Sequence, residues 1–264
     1  MIHAVCLNWN GEQLLRKLIP GLKLNLGLLG GSSQVYLRDN GSTDLSVPYA
    51  DEQGLIIEAV GHNNESFSGG VNSLVNLAKP DDDDLLLLIN NDIEFKDECS
   101  LKKMYDLMEN PEVGVVGARL LYENKKMSHN GVIFSRQYGN MPWHFREGKW
   151  PIAADKTNRY FQAVTAACCF VRASCFKNAG GLDETYRWAF EDISLNLDIG
   201  INQKKKIICC GGTEIIHATS KSLKKNPVNK KHLPNNVKHF KEKWFGKYEI
   251  DHDKYLKDKN YNLV

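Results

Sequence analysis

Leu85-Leu86-Leu87-Leu88-Ile89-Asn90-Asn91-Asp92 is the stretch on which the reading of the fold turns. Five consecutive aliphatic residues are far too few to cross a bilayer. They are also too uniformly apolar for a strand with one wet face. They read as a strand buried on both sides, as in a parallel sheet covered by helices. Working back towards the start, Leu55 to Val60, Val35-Tyr36-Leu37 and Ala4-Val5-Cys6-Leu7 are further β-type runs. Helical stretches separate them, around Gln13 to Leu24 and near Gly70 to Leu77. Strands alternating with helices at this spacing predict βαβ units, hence a single Rossmann-like α/β sheet, mainly parallel, with helices on both faces.

Beyond Asp92 the rhythm changes. Ser100 to Met108 predicts a helix, Val113 to Gly117 a strand, and Asn124 to Asn158 is polar and aromatic. An apolar stretch runs from Ala163 to Val171, a helix is predicted over Glu191 to Leu197, and late strands over Lys206–Cys210 and Thr213–Ile216. The expected division is one domain over 1–220, with halves at about 1–95 and 96–220, and a basic helical extension over 221–264. In that extension Val237, Phe240 and Trp244 fall on one helical face, a stripe expected to dock onto the body.

The 264 residues carry 42% hydrophobic and 25% charged residues with net charge +2, a balance that gives no reason to expect a nucleic-acid partner. Lysine dominates from Lys204 onward, which suits phosphates, an anionic membrane surface or simply a solvated face. Asp81 to Asp84 precedes its strand, lies at the sheet edge away from the strand ends, and reads as a solvated loop. Met1 leads straight into the first strand without a signal-peptide pattern. Seven cysteines occur without any CxxC spacing, and the adjacent pairs Cys168-Cys169 and Cys209-Cys210 sit in apolar runs. They read as small buried hydrophobes of a reducing compartment; a zinc site from Cys209, Cys210 and His217 is the weaker alternative. The expected location is cytoplasmic, with peripheral contact at the inner face of a membrane through the basic tail.

In open parallel sheets, ligands bind at the carboxyl ends of the strands. Here those ends read Asn8-Trp9-Asn10-Gly11, Asp39-Asn40-Gly41, Asn63-Asn64 and Asn90-Asn91-Asp92. Each is also good turn chemistry, and a flavodoxin-like binding module shares the pattern. A dinucleotide oxidoreductase fits poorly, because the first turn lacks the glycine triplet that brings backbone against pyrophosphate.

Taken together, Asn8-Trp9-Asn10-Gly11, Asp39-Asn40-Gly41-Ser42-Thr43-Asp44 and Asn64-Glu65-Ser66-Phe67-Ser68-Gly69-Gly70-Val71-Asn72 resemble the opening motifs of family 2 glycosyltransferases. Leu88 to Asp92 resembles that family's metal-binding Asp-x-Asp element, in the Asn-x-Asp form of its rhamnosyltransferase-like branch. Gly180-Gly181-Leu182-Asp183-Glu184 followed by Phe190-Glu191-Asp192 resembles its acceptor-side segment. The resemblance runs from about residue 2 to His217. It implies a GT-A fold, a nucleoside-diphosphate sugar donor, a glycan or lipid-linked acceptor, Mn²⁺ or Mg²⁺, and inversion at the anomeric carbon. A catalytically silent sugar-nucleotide or carbohydrate-binding protein on the same fold is the alternative.

On this resemblance Asn8, Asn10, Asp39, Asn64, Gly70, Asn72, Asn90 and Asn91 form the donor site. An ionised carboxylate only accepts hydrogen bonds, so Asp39 suits a ring N–H of uracil or thymine; its other reading is a turn aspartate capping Gly41-Ser42. Asp44 reads as an N-cap. Asp92 supplies the hard oxygen that Mn²⁺ or Mg²⁺ prefers, or else ends a strand in an ordinary turn. His217 approaches the metal or diphosphate, or is structural. Asp192 is the general base by resemblance and Glu191 its positioning neighbour; otherwise both are helix N-terminal charges. Trp188 and Phe190 offer an apolar face to an acceptor sugar or pack in the core. Lys221, Lys224 and Lys225 meet phosphates or are solvated. The chain departs from the family pattern at Glu65-Ser66, where Leu-Gly is common, and at Asn196 and Asp198.

Overall fold

In the computed structural model, residues 1–61, 66–187, 189–218, 228–258 and 260–264 are described. The strands are β1 (Ile2–Asn8), β2 (Ser33–Asp39), β3 (Ile56–Ala59), β4 (Leu85–Ile89), β5 (Ile93–Phe95) and β6 (Val113–Leu121). After them come β7 (Met127–His129), β8 (Val132–Ser135), β9 (Met141–His144), β10 (Arg159–Tyr160), β11 (Cys168–Arg172) and β12 (Lys206–His217). The helices are α1 (Glu12–Gly27), α2 (Ser46–Glu52), α3 (Phe67–Ala78), α4 (Ser100–Met108), α5 (Ala173–Asn178), α6 (Glu191–Leu197), α7 (Val228–Trp244) and α8 (His252–Lys257).

One large mixed sheet, mostly parallel, runs β10-β12-β6-β11-β4-β1-β2-β3. Its first half, β3-β2-β1-β4, is parallel throughout, as the alternation of strands and helices predicts. β11 then enters antiparallel between β4 and β6. The two late strands predicted over 206–216 are one strand, β12, with a register break between Cys210 and Ile215. Buried Arg119 brackets that break, its guanidinium donating to the carbonyls of Gly211 and Thr213.

The all-apolar character of β4 follows from its place. Leu85, Leu87 and Ile89 join a core under α1 and α4, while Leu86 and Leu88 join a second core under α3 and α5. At about 1.5–3 kcal/mol per fully buried aliphatic side chain, a polar residue anywhere in the strand is strongly disfavoured. A third cluster joins Val132, Phe134, Ala163, Tyr186, Leu197, Phe240, Trp244 and Tyr248. The apolar stripe of α7 therefore docks onto the body, and the Trp244 indole N–H donates to Ser194 Oγ of α6 at 2.9 Å. The last residues also join the sheet edge, where Tyr160 N–H donates to the Asn262 carbonyl.

All cysteines except half-buried Cys99 are buried, and burial pushes the Cys168 thiol up to about 12. No group of three or more metal-ligating side chains occurs among the described residues, so the zinc alternative at Cys209, Cys210 and His217 has no support there. Asp84 departs from the solvated-loop reading, since its Oδ2 pairs with the His3 ring at 3.0 Å and accepts Asp81 N–H. No helix among the described residues is long and apolar enough to cross a membrane.

Candidate active site

The ends of β2, β1 and β4 are tied by one polar ladder. Asn8 Nδ2 donates to Asp39 Oδ1 at 3.0 Å, and Asn8 Oδ1 accepts from Asn91 Nδ2 at 2.9 Å. Gly11 keeps that ladder open, because a Cβ there would lie 2.3 Å from Asn8 Oδ1. Asp39, 2% exposed, also accepts the Ser42 N–H and hydroxyl. Its capping reading is thus what the geometry shows; with about four acceptor positions on a carboxylate, one remains for a base N–H. Asn10 has its own N–H on Ser42 and its side-chain oxygen on Thr43 N–H, so it shapes the loop. Asp44 caps two helices, accepting N–H bonds from Ser46 and Glu12.

Two expected donor residues turn out to be committed elsewhere. Asn72 donates to the Leu182 carbonyl and to Glu184, and its oxygen accepts Leu182 N–H. Its carboxamide clamps the 180–184 loop to α3. At Gly70 a Cβ would fall 2.8 Å from Leu7, so the glycine permits helix-on-strand packing. Asn64 and Trp188 lie outside the described residues, as do Asn63, Lys221, Lys224 and Lys225.

At the end of β4 the chain turns at Asn90 and enters β5, which pairs antiparallel with the end of β12. That pairing puts His217 beside Asp92, Nε2 to Oδ1 at 3.2 Å, and Ala218 N–H closes onto the Asp92 carbonyl. Adjacent ligands of an octahedral ion with bonds of about 2.1 Å stand about 3.0 Å apart. A carboxylate oxygen and an imidazole nitrogen at this spacing fit two neighbouring positions of Mn²⁺ or Mg²⁺. Asn90 has its N–H on the Ala167 carbonyl and a side chain with no protein partner among the described residues.

Residues 163–167 form a strap across the site. Val132 N–H donates to the Ala163 carbonyl, Val164 exchanges bonds with the Asn196 carboxamide, and Thr165 N–H donates to His129 Nε2. Next along, Ala166 N–H donates to Asp192 Oδ2 at 3.1 Å, and the Ala167 carbonyl accepts from Asn90. Asp192 is thereby held one residue away from the β4 end. Gly117 of β6 lets the strap approach, since a Cβ there would lie 2.6 Å from Val164.

α6 presents its two acids through a strained turn. Ala189 and Phe190 both have positive φ, 65° and 76°, a conformation costly for non-glycine residues and one that marks functional sites. Asp192 accepts its two N–H bonds, from Ala166 and Ile193, with lone pairs to spare. Glu191 is different. It is 8% exposed with Oε2 unpartnered, and burial together with the Asp192 charge pushes its carboxyl up to about 8. At neutral pH its carboxyl is therefore held towards the protonated form. Phe190, expected at the acceptor, spends its ring on packing 5.0 Å from Phe240.

The sequence reading passed over one group of residues. His129 and His144 stand on β7 and β9, with Nδ1 atoms 2.6 Å apart. Burial acts most on both rings; after it, the charges of Glu147, Asp192 and His217 act on His144, and those of His144 and His217 on His129. The signal was present in Gly139-Asn140, a hairpin turn pair with positive φ at both residues.

Residues 5–176 match the sequence profile of the family described as Glycosyl transferase family 2. Over 155 residues the chain is 31% identical to the O-antigen biosynthesis protein RfbC of Myxococcus xanthus, covering 57% of this chain and 12% of that protein. The chain thus spans about an eighth of that relative's length. Among solved structures, it superposes on a mannosyltransferase of Pyrobaculum calidifontis in complex with GDP-Man and Mn²⁺. The TM-score is 0.56 at 12% identity, over 84% of this chain and 57% of the other. It also superposes on S. aureus TarS 1-349 in complex with UDP, with TM-score 0.56 at 12% identity, over 97% of this chain and 77% of that one. The fold is the GT-A fold that these structures share.

Proposed function

The chain belongs to glycosyl transferase family 2, and on that premise we propose that it moves a sugar from a UDP- or dTDP-linked donor to a hydroxyl of a glycan or lipid-linked acceptor, with inversion. The carrying observation is that Asp92 and His217 stand 3.2 Å apart at the β4 end while the strap holds Asp192 next to that end. Asp39 and the Asn8-Asn91 ladder receive the nucleotide base and ribose, with Asn90 free to meet the ribose or a water. Asp92 and His217 would hold Mn²⁺ or Mg²⁺, which would supply charge neutralisation on the departing diphosphate. In the transfer, the acceptor oxygen forms a bond to the anomeric carbon as the bond to the diphosphate breaks. The electron pair leaves with the nucleoside diphosphate, and Asp192 takes the hydroxyl proton. Burial holds Glu191 towards its protonated form, which leaves the role of base to Asp192.

The likeness to an O-antigen biosynthesis protein supports a surface polysaccharide or its lipid-linked precursor as acceptor. The tail's lysines then serve as a peripheral contact with an anionic membrane on its cytoplasmic face. The exposed Lys238, Lys241 and Phe245 of α7 and its C-terminal end support that contact, since Phe240 and Trp244 are spent on docking.

A thermal-shift panel of UDP-, dTDP-, GDP- and CMP-linked sugars, each with and without Mn²⁺, tests the reading. The expected result is a metal-dependent rise with a uracil or thymine nucleotide, lost in Asp92→Asn. Turnover in Asp192→Asn should fall by a factor on the order of 10²–10⁴ with binding retained. No shift with any nucleotide sends the reading to the silent binding protein.

A further inference from the structure

The His129–His144 pair has only one arrangement of protons when both rings are neutral. Backbone N–H groups of Gly131 and Thr165 point at His129 Nε2, at 3.2 and 3.3 Å. A backbone N–H only donates, so that nitrogen accepts and the His129 proton sits on Nδ1. Nδ1 faces His144 Nδ1 at 2.6 Å, which must therefore accept. The His144 proton is left on Nε2. Burial keeps both rings towards the neutral form, His129 strongly so. His129 is 1% exposed, whereas His144 is only partly buried, and its Nε2 has no partner among the described residues.

The strap places the histidine pair beside the acid. Thr165 and Ala166, adjacent in the strap, bind His129 and Asp192 respectively, so the pair lies next to the acid. The charges of Glu147, Asp192 and His217 all act on His144, that of Glu147 the most. In an in-line displacement, base and leaving group flank the anomeric carbon, and a side chain that feels the charges on both sides belongs beside the sugar.

We propose that the His144 Nε2–H is a fixed hydrogen-bond donor to a hydroxyl of the transferred sugar, with His129 as the positioning residue that sets its tautomer. The inference rests on the transferase reading above.

Two substitutions separate this role from a structural one. His144→Asn keeps an acceptor where Nδ1 stands, and so keeps the contact with His129, but has nothing at Nε2. His144→Gln places an amide N–H near the Nε2 position and gives up the His129 contact. Affinities are measured by calorimetry with Mn²⁺, using UDP, UDP-glucose, dTDP and dTDP-glucose as probes. His144→Asn should bind the sugar-bearing probe about 10-fold more weakly while binding the bare nucleotide like wild type, and His144→Gln should recover most of the loss. Nitrogen-15 shifts of the rings should show the proton on Nδ1 of His129 and Nε2 of His144.

Equal weakening for nucleotide and nucleotide sugar, no weakening, or a worse defect in His144→Gln than in His144→Asn overturns the proposal. So does the opposite tautomer, or a wild type for which the sugar adds no affinity. A wild type that binds none of the probes overturns the transferase reading itself, a result distinct from the others.

Discussion

Glu191→Gln is the substitution from which most can be learned. The Glu191 carboxyl moves from an ordinary 4.5 to about 8, because of burial and then the Asp192 charge. The folded state therefore holds a proton that the unfolded chain releases near pH 4.5. Stability is complete below that value and is lost progressively as pH rises to about 8, at a slope of up to ~1.4 kcal/mol per pH unit. For 264 residues, an unfolding entropy of ~2.1 cal/mol/K per residue gives ~0.55 kcal/mol/K, so the slope is worth ~2–3 °C of Tm per pH unit. Glutamine has the same shape and no charge to expose. The assay is a scanning-calorimetry series from pH 5 to 8 on both proteins, read as the difference between them. The difference matters because Asp251, raised to about 6 by burial, adds loss of the same sign. His129, held low by burial, adds the opposite sign, with stability falling as pH drops below 6.5. Both cancel in the subtraction. The variant's Tm should gain on wild type steadily as pH rises, and its turnover at pH 7 should stay within about threefold, since the native acid is already neutral there. Parallel curves for the two proteins would refute the buried-acid argument. A loss of 10²-fold or more in turnover would move the base from Asp192 to Glu191.

Gly117→Ala puts a methyl 2.6 Å from Val164. It should cost about 1–3 kcal/mol and reduce turnover beyond what the lost stability explains, because the strap carries Asp192; normal turnover at a lowered Tm would refute the strap's role. Asn72→Ala leaves the Leu182 N–H and carbonyl without their partner. A loss of about 1–3 kcal/mol with unchanged UDP affinity is expected by calorimetry, and weakened UDP binding would return Asn72 to the donor site. Asp183 pairs with His239 at 3.0 Å and Lys243 at 2.8 Å. Burial works against its charge, but these hydrogen bonds win and hold its carboxyl well below the usual range. Its contribution is present above the ordinary 3.8 and fades as the pH falls further. Asp183→Asn should therefore cost about 1–2 kcal/mol at pH 7 and raise hydrogen exchange in α7 first; unchanged exchange in α7 would refute this anchoring.

The half of the molecule that repeats one local rule was legible in the sequence. β1, β2 and β4 each bury residues on helix-covered faces, and each ends where the apolar run gives way to Asn or Asp, so periodicity placed those strands and their ends; β3, at the sheet edge with Ile56 and Ala59 exposed, ends without such a switch. α4 and α6 fall on their predicted spans, because their apolar spacing and first-turn residues are local properties. The entry of β11 between β4 and β6 was not legible. Its apolar run is visible, but its neighbours and direction follow from contacts some eighty residues away in sequence. Gly70 and Asn72 show the opposite failure. Their residue types fit a ligand site, yet Leu7 lies against one and Leu182 satisfies the other, and no local pattern separates those uses.

The strap shows why reading side chains cannot recover the whole site. Ala163-Val164-Thr165-Ala166-Ala167 contains no acid, base or amide that would single it out. Its work is done by main-chain groups, which every sequence possesses: one N–H for the acid, one for the histidine, one carbonyl for the β4 end. Such groups become specific only when tertiary packing aims them. The trace left in sequence is indirect, as a glycine in β6 where nothing larger fits against Val164. The same holds for the two histidines, whose types were visible but whose meeting depends on the register that sets His144 opposite Val132. Chemistry carried by charged side chains at strand ends can be read from residue types. Chemistry carried by backbone direction and by tautomers becomes readable only once the chain is folded around it.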